Sequence, residues 1–271
     1  MRVAIILPSR GLIFSRTLEQ ILNNASKHAY RIYWSHGRKI PECFNKPLQQ
    51  ALKDPHNTHF WIIEEDMIIP DGILSKMLEM NVPAVTADYP LTSDGASSIK
   101  KDLDEKIYLC GTGCLLLTRE FISEYKNPIF RSDILFNIKN YRDYIELSPY
   151  KTNSNQVYGI HDMLFSLLAY LRGNPITLCD MACGQYKLIS SGGRGVNSGL
   201  HQIEEWKNII PFNKLENIHP DIDDMIVKMA DDTELIVSKE HGLKMINNKL
   251  AQEVKREYIY IADNSLLYSI I

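Results

Sequence analysis

Three consecutive carboxylates, Glu64, Glu65 and Asp66, follow directly on an apolar run in the segment WIIEEDMIIP. In extended geometry Glu64 and Asp66, two apart, point to one face of the chain and Glu65 to the other. The C-terminal ends of strands in open α/β sheets line the ligand crevice, so a carboxylate pair there is suited to a hard divalent cation, Mg²⁺ or Mn²⁺, whose other ligands are phosphate oxygens. The plainer alternative is that these acids cap a strand at the surface. A second pattern, Gly-Thr-Gly at 111–113, taken alone is a turn between two strands.

The elements that must position these residues follow from the pattern of apolar positions. Val3 to Leu7 reads as a first strand, PSRG as its turn, and Leu12 to Ala25 as a helix with Ile13, Leu18, Ile21 and Leu22 on one face. Arg31 to Trp34 continues as a strand, Pro41 opens a helix through Leu52, and HFWII runs as a buried strand into the acids. Pro70 and Asp71 start a helix through Met80, PAVTA is a strand, and IYLCGTGCLLLT is two short strands meeting at glycine, with a helix from about Arg119. Residues 130–157 show little periodicity and read as a loop-rich insertion. His161 to Leu171 is an amphipathic helix, PITLC a strand, and SSGGRGVNSG a glycine-rich loop expected to be mobile. Alternation of this kind predicts an α/β fold: one Rossmann-like mixed sheet with flanking helices over residues 1–210. Residues 211–271 shift to charged, short-period sequence and read as a small helical appendage.

With the acids at the end of a buried strand, the chain resembles a nucleotide-sugar glycosyltransferase of the GT-A type, similar to family-2 members, and WIIEEDMIIP resembles that family's D-x-D signature as an E-x-D variant. The resemblance covers about residues 1 to 205 and rests on the order of several motifs. It implies that Asp66, with Glu64 or Glu65, holds a metal that neutralises the diphosphate leaving group. It implies that Pro8, Ser9 and Arg10 meet the base and ribose, and it matches Asn45 in CFNKPLQQAL to a pair in which Arg is common where Phe44 stands. Asp88 in TADYP, with Thr112 and Gly113, becomes a donor or acceptor contact, the glycines permitting close approach to the sugar. GIHDMLFSLLAYLRG resembles the element whose second acid is the general base of inverting members, which matches Asp162; His161 replaces the usual first acid. The plain reading of Asp162 is a first-turn acid favoured by the helix dipole. Where relatives place a histidine as third metal ligand the sequence has Gln185; His201 is an alternative, and Arg194 or Lys187 could clamp the diphosphate.

The 271 residues suffice for one large α/β domain, and a formal net charge of −3 provides no global field for nucleic acid or membrane. The opening MRVAIILPSR has an apolar run of only about six residues, too short for a signal peptide or a membrane span. Five cysteines, two pairs of them spaced C-x3-C, read as free thiols in a reducing cytosol rather than as a zinc site. The expected location is therefore cytoplasmic, with a nucleotide-sugar donor, UDP-sugar favoured, as small-molecule partner.

Acceptor identity is left between a glycan and hydroxymethylated pyrimidine in phage DNA; for the latter Lys100, Lys101, Arg131, Lys139 and Arg142 would line the phosphates, and a solvated surface is their plain reading. Two rivals remain. A sugar-phosphate nucleotidyltransferase would need a glycine-rich, lysine-bearing first loop, which PSRGLIFSRT is not. A non-catalytic nucleotide-sugar-binding protein would share the fold, and the acids Glu64, Asp66 and Asp162 argue against it.

Overall fold

The computed structural model describes residues 2–9, 11–35, 39–102, 104–125, 128–131, 134–139, 144–149, 160–189, 202–211, 224–228 and 234–238. Among the described residues the elements run β1 (Arg2–Pro8), α1 (Ser15–Ala25), β2 (Tyr30–Ser35), α2 (Glu42–Leu52), β3 (Asn57–Ile63), β4 (Met67–Ile68), α3 (Ile73–Glu79) and β5 (Ala84–Thr86). They continue β6 (Ile99–Lys101), β7 (Ile107–Cys110), β8 (Cys114–Thr118), α4 (Arg119–Ser123), β9 (Ile134–Lys139), β10 (Tyr144–Pro149) and α5 (Ile160–Leu171). The last are β11 (Thr177–Leu178), β12 (Gly184–Ile189), β13 (Gln202–Trp206), β14 (Asp224–Lys228) and β15 (Glu234–Ser238).

The chain falls into two compact units, one of residues 1–100, 110–122 and 177–212, the other of 101–109, 123–176 and 213–271. The first unit is an α/β fold on a six-stranded mixed sheet in the order β11-β5-β8-β3-β1-β2. β1 lies parallel to β2 and β3, whereas β8 runs antiparallel to both β3 and β5. Val3 to Leu7 and Phe60 to Ile63 are buried at every position, because helices and loops cover both faces and each strand is an unbroken apolar run. Val3, Ile5, Leu7, Trp61 and Ile63 pack with Ile21 of α1 and Leu74 and Met77 of α3 in one layer. The buried face of α1 is Thr17, Ile21, Asn24 and Ala25, and Leu22 is exposed. The expected face is thus rotated, because polar Thr17 and Asn24 go inward to bond backbone carbonyls of Met67 and Pro70.

A smaller antiparallel sheet, β13-β12-β4, adjoins the acids, with Gly184 opposite Ile68 and Gln185 opposite Met67. Arg119 at the start of α4 donates to the carbonyls of Asn57, Leu52 and Asp54, closing the last turn of α2 against β3. In the second unit, β9 and β10 pair antiparallel where a loop-rich insertion is expected. Their runs ILFNIK and YIELSP carry the β-branched and aromatic residues that favour strands, despite weak alternation. The expected helical appendage is likewise corrected: its described elements, β14 and β15, form an antiparallel pair. DMIVK and ELIVS are short Ile/Val runs on either side of a polar stretch, which is a hairpin pattern rather than a helical one. No helix among the described residues is long and apolar enough to cross a membrane.

Candidate functional site

β3 stops at Ile63, and the backbone then turns instead of continuing extended. Glu64 N–H donates to the Gly113 carbonyl at 3.1 Å, and Met67 N–H returns to the Glu64 carbonyl at 3.4 Å. Strand alternation therefore does not reach the acids, which corrects the expectation that Glu64 and Asp66 share a face by period-two geometry. Three hydrogen bonds from two other elements fix the turn. Phe14, capping α1, donates its N–H to the Glu65 carbonyl at 3.1 Å, Thr17 Oγ1 donates to the Met67 carbonyl at 2.8 Å, and Tyr186 N–H of β12 donates to the Asp66 carbonyl at 2.7 Å. The stacked Phe14 and Tyr186 rings, 5.3 Å between centroids, close the same corner.

The carboxylates of Glu64 and Asp66 have different partners. Glu64 Oε1 accepts from Thr112 Oγ1 at 2.9 Å, and Thr112 is buried, so the Gly-Thr-Gly turn fixes the direction of this acid. Asp66 Oδ2 receives Lys187 Nζ at 2.7 Å, and Lys187 lies over the Trp206 ring, 5.6 Å from its centroid. Asp66 Oδ1 is buried and has no hydrogen-bond partner, and the same is true of Oε1 of Gln185, which is 4% exposed. Both are buried oxygen acceptors without a donor, on the acid turn and on the strand paired beside it, and oxygen is what a hard cation binds, neutral amide ligands included. Among the described residues no group of three His, Cys, Asp or Glu forms a complete metal cage, so such an ion would depend on ligand oxygens as well.

The two glycines at 111 and 113 make room for the Tyr89 ring. A Cβ at Gly111 would stand 1.8 Å from Tyr89 Oη, and one at Gly113 would stand 2.8 Å from Met67 Sδ and from the same ring. Gly113 N–H donates to Tyr89 Oη at 3.2 Å. Asp88 accepts from Ser97 Oγ, Ser98 Oγ, Ser98 N–H and Tyr89 N–H, all within 3.0 Å, so its carboxylate ties down the loop that carries Tyr89. Pro8 pairs with Ser35 at the end of the sheet, and buried Ser9 accepts from Gly11 N–H and donates to the Leu12 carbonyl, shaping the first loop. Asn45 is buried on α2. Leu12 and Trp34 are large apolar side chains left exposed in this unit.

The structure thus gathers Glu64, Glu65, Asp66, Thr112, Gly113 and Lys187 around one turn, and adds Phe14, Tyr186, Gln185 and Trp206. Sequence reasoning missed Trp206; its signal was its place in QIEEW, two from Glu204, whose Oε2 accepts from the indole N–H at 3.1 Å. Arg10, Arg194, His201 and the whole of the glycine-rich loop lie outside the described residues, as does Arg142 of the basic strip. Of that strip, Lys101 pairs with Glu105 at 3.3 Å.

In the second unit, Asp162 stands in the first turn of α5, and its Oδ1 accepts from Met163 N–H at 2.8 Å. Burial pushes its carboxyl up to about 7, outweighing the backbone hydrogen bonds that pull it down. Burial likewise lowers the neighbouring His161 to about 4, which leaves a neutral ring packed edge-on to Phe130 at 6.2 Å. Tyr170 Oη donates to buried Asp102 at 2.7 Å, and Asp102 also accepts from Lys106 N–H, locking the β6–β7 hairpin tip. All five cysteines are free and buried.

No protein-family model matches this chain, and no curated protein matches it significantly. Among solved structures it is similar to the crystal structure of A197 from STIV, at 16% identity and a TM-score of 0.46, covering 81% of this chain and 100% of that one. At that level of likeness the fold is read from the strand order itself.

Proposed function

We propose that the turn after β3 is the donor site of a metal-dependent glycosyltransferase of the GT-A type, which moves a sugar from a nucleotide-sugar to an acceptor hydroxyl. The observation that carries this reading is Asp66 at the C-terminal end of a central strand, one carboxylate oxygen held by Lys187 and the other buried without a partner. Such a residue is prepared for a cation or a cation-bearing ligand.

In this reading Asp66 and Glu64 would hold Mn²⁺ or Mg²⁺, which supplies charge neutralisation for the departing diphosphate. Thr112 keeps Glu64 directed, and Lys187 offers a charge-assisted contact to the phosphates that develops as the glycosidic C–O bond breaks. Asp162 takes the acceptor's hydroxyl proton as that oxygen bonds to the anomeric carbon, with inversion. A carboxyl poised at about 7 suits a general base, since it is both ionised near neutrality and basic enough to accept. UDP is the favoured nucleotide. The acceptor is a glycan or a hydroxymethylated pyrimidine in DNA.

Thermal shift with UDP-, GDP-, CMP- and dTDP-sugars, each with and without Mn²⁺, tests the reading on wild type and Asp66→Asn. A metal-dependent rise with one nucleotide family, lost in the variant, is the expected result. A response indifferent to metal and to Asp66, or none at all, would refute it and favour a non-catalytic binding protein.

A further inference from the structure

We infer that the Gln185 side-chain amide is an oxygen ligand of the divalent cation at the acid turn, and that it makes the site selective for hard ions; the inference rests on the donor-site reading above. Gln185 and Lys187 are two apart on β12 and so share one face, while Tyr186 between them points the other way and stacks on Phe14. Lys187 on that face reaches Asp66 Oδ2 at 2.7 Å, and the intervening Tyr186 N–H holds the Asp66 carbonyl at 2.7 Å. Gln185 lies opposite Met67, the residue after Asp66.

The amide is placed at a cost. Its Nε2 meets only the Met67 thioether, at 3.9 Å, and its Oε1 is buried with no partner. A buried amide so poorly satisfied is destabilising unless something else completes it. Asp66 Oδ1, on the neighbouring segment, is the second unpartnered acceptor. Since both lack a donor and both are oxygen, one ion satisfies both. A neutral amide oxygen beside carboxylate favours Mg²⁺ or Mn²⁺, whereas imidazole or thiolate would favour Zn²⁺.

The test is Mn²⁺ titration of the full-length protein, followed by loss of the free-ion EPR signal, with and without UDP, on wild type, Gln185→Leu, Gln185→Glu and Asp66→Asn. Melting temperatures are taken in metal-free buffer. Gln185→Leu is expected to bind Mn²⁺ about tenfold or more weakly and yet to melt higher, because the unsatisfied amide is gone. Gln185→Glu is expected to bind at least as tightly as wild type. If Gln185→Leu keeps wild-type affinity while Asp66→Asn loses it, the donor site stands and the amide is not a ligand; a buried water then completes it. If wild type binds no Mn²⁺ with or without UDP, both readings fall. Should the leucine variant not fold, Gln185→Glu decides: retained or tighter binding supports the assignment, and weaker binding overturns it.

Discussion

An aspartate in the first turn of a helix ordinarily titrates low, because backbone N–H groups and the helix dipole favour its charge. At Asp162 those bonds are present and burial outweighs them, bringing the carboxyl to about 7. The folded chain thus binds this proton more tightly than the unfolded one. The stabilisation is complete below about pH 4 and is lost as pH rises through about 7. Asp162→Asn, which cannot titrate, should match wild type in acid and become relatively more stable towards pH 8 in chemical-denaturation curves. Transfer activity of the same variant should fall by about 10²–10⁴, and normal turnover would remove Asp162 from the mechanism. Lys187 makes a different demand. Its ion pair with Asp66 is partly exposed and contributes little stability by itself, so Lys187→Met should fold normally. Its loss should weaken UDP binding in Mn²⁺ by roughly ten- to a hundredfold in calorimetric titration.

The turn that aims these residues belongs to no single element. α1 supplies Phe14 N–H and Thr17 Oγ1, β12 supplies Tyr186 N–H, and the residues around Gly113 fill the space beneath. Thr17→Val keeps the shape of the helix face and removes one buried donor from the Met67 carbonyl. The expected cost is about 1–3 kcal/mol in urea unfolding, with a larger relative loss of Mn²⁺ affinity than a core change of comparable cost away from the turn, such as Ile122→Val on α4. Equal losses of metal affinity in both variants would show that Thr17 supports the fold and not the site.

The first unit is assembled from three stretches of chain, and the third, residues 177–212, brings β12 and with it Tyr186, Gln185 and Lys187 to the acids. The sequence offers a simpler division, catalytic residues 1–210 followed by an appendage. A chain ended after Phe212 retains every stretch of the first unit, and we expect it to keep metal-dependent UDP binding by thermal shift. A chain ended after Ile176 lacks β12 and should lose that response. If the shorter chain still responds, the site does not need β12.

Strand-and-helix order was legible for the six-stranded sheet and its helices, though the short, partly polar strands β4, β12 and β13 were not read from the sequence. Buried strands such as VAIIL and HFWII are unbroken apolar runs that allow little else. The candidate acids were legible for the same reason: three carboxylates ending such a run have no place in a core. The buried face of α1 was less legible, because polar Thr17 and Asn24 turn inward to carbonyls about 50 positions away. The β9–β10 and β14–β15 ribbons were missed because short strands with irregular alternation carry a weak local signal.

What the sequence determined by itself was therefore composition-bound: an α/β sheet, acids at a strand end, an acid in a helix's first turn. Tertiary structure alone decided that the chain turns at Glu64, that Lys187 meets Asp66 across 121 positions, that Tyr89 is what the two glycines accommodate, and that Gln185 Oε1 is left without a partner. Hydrogen bonds and burial are set by neighbours in space, and periodicity carries no record of which distant strand will supply them.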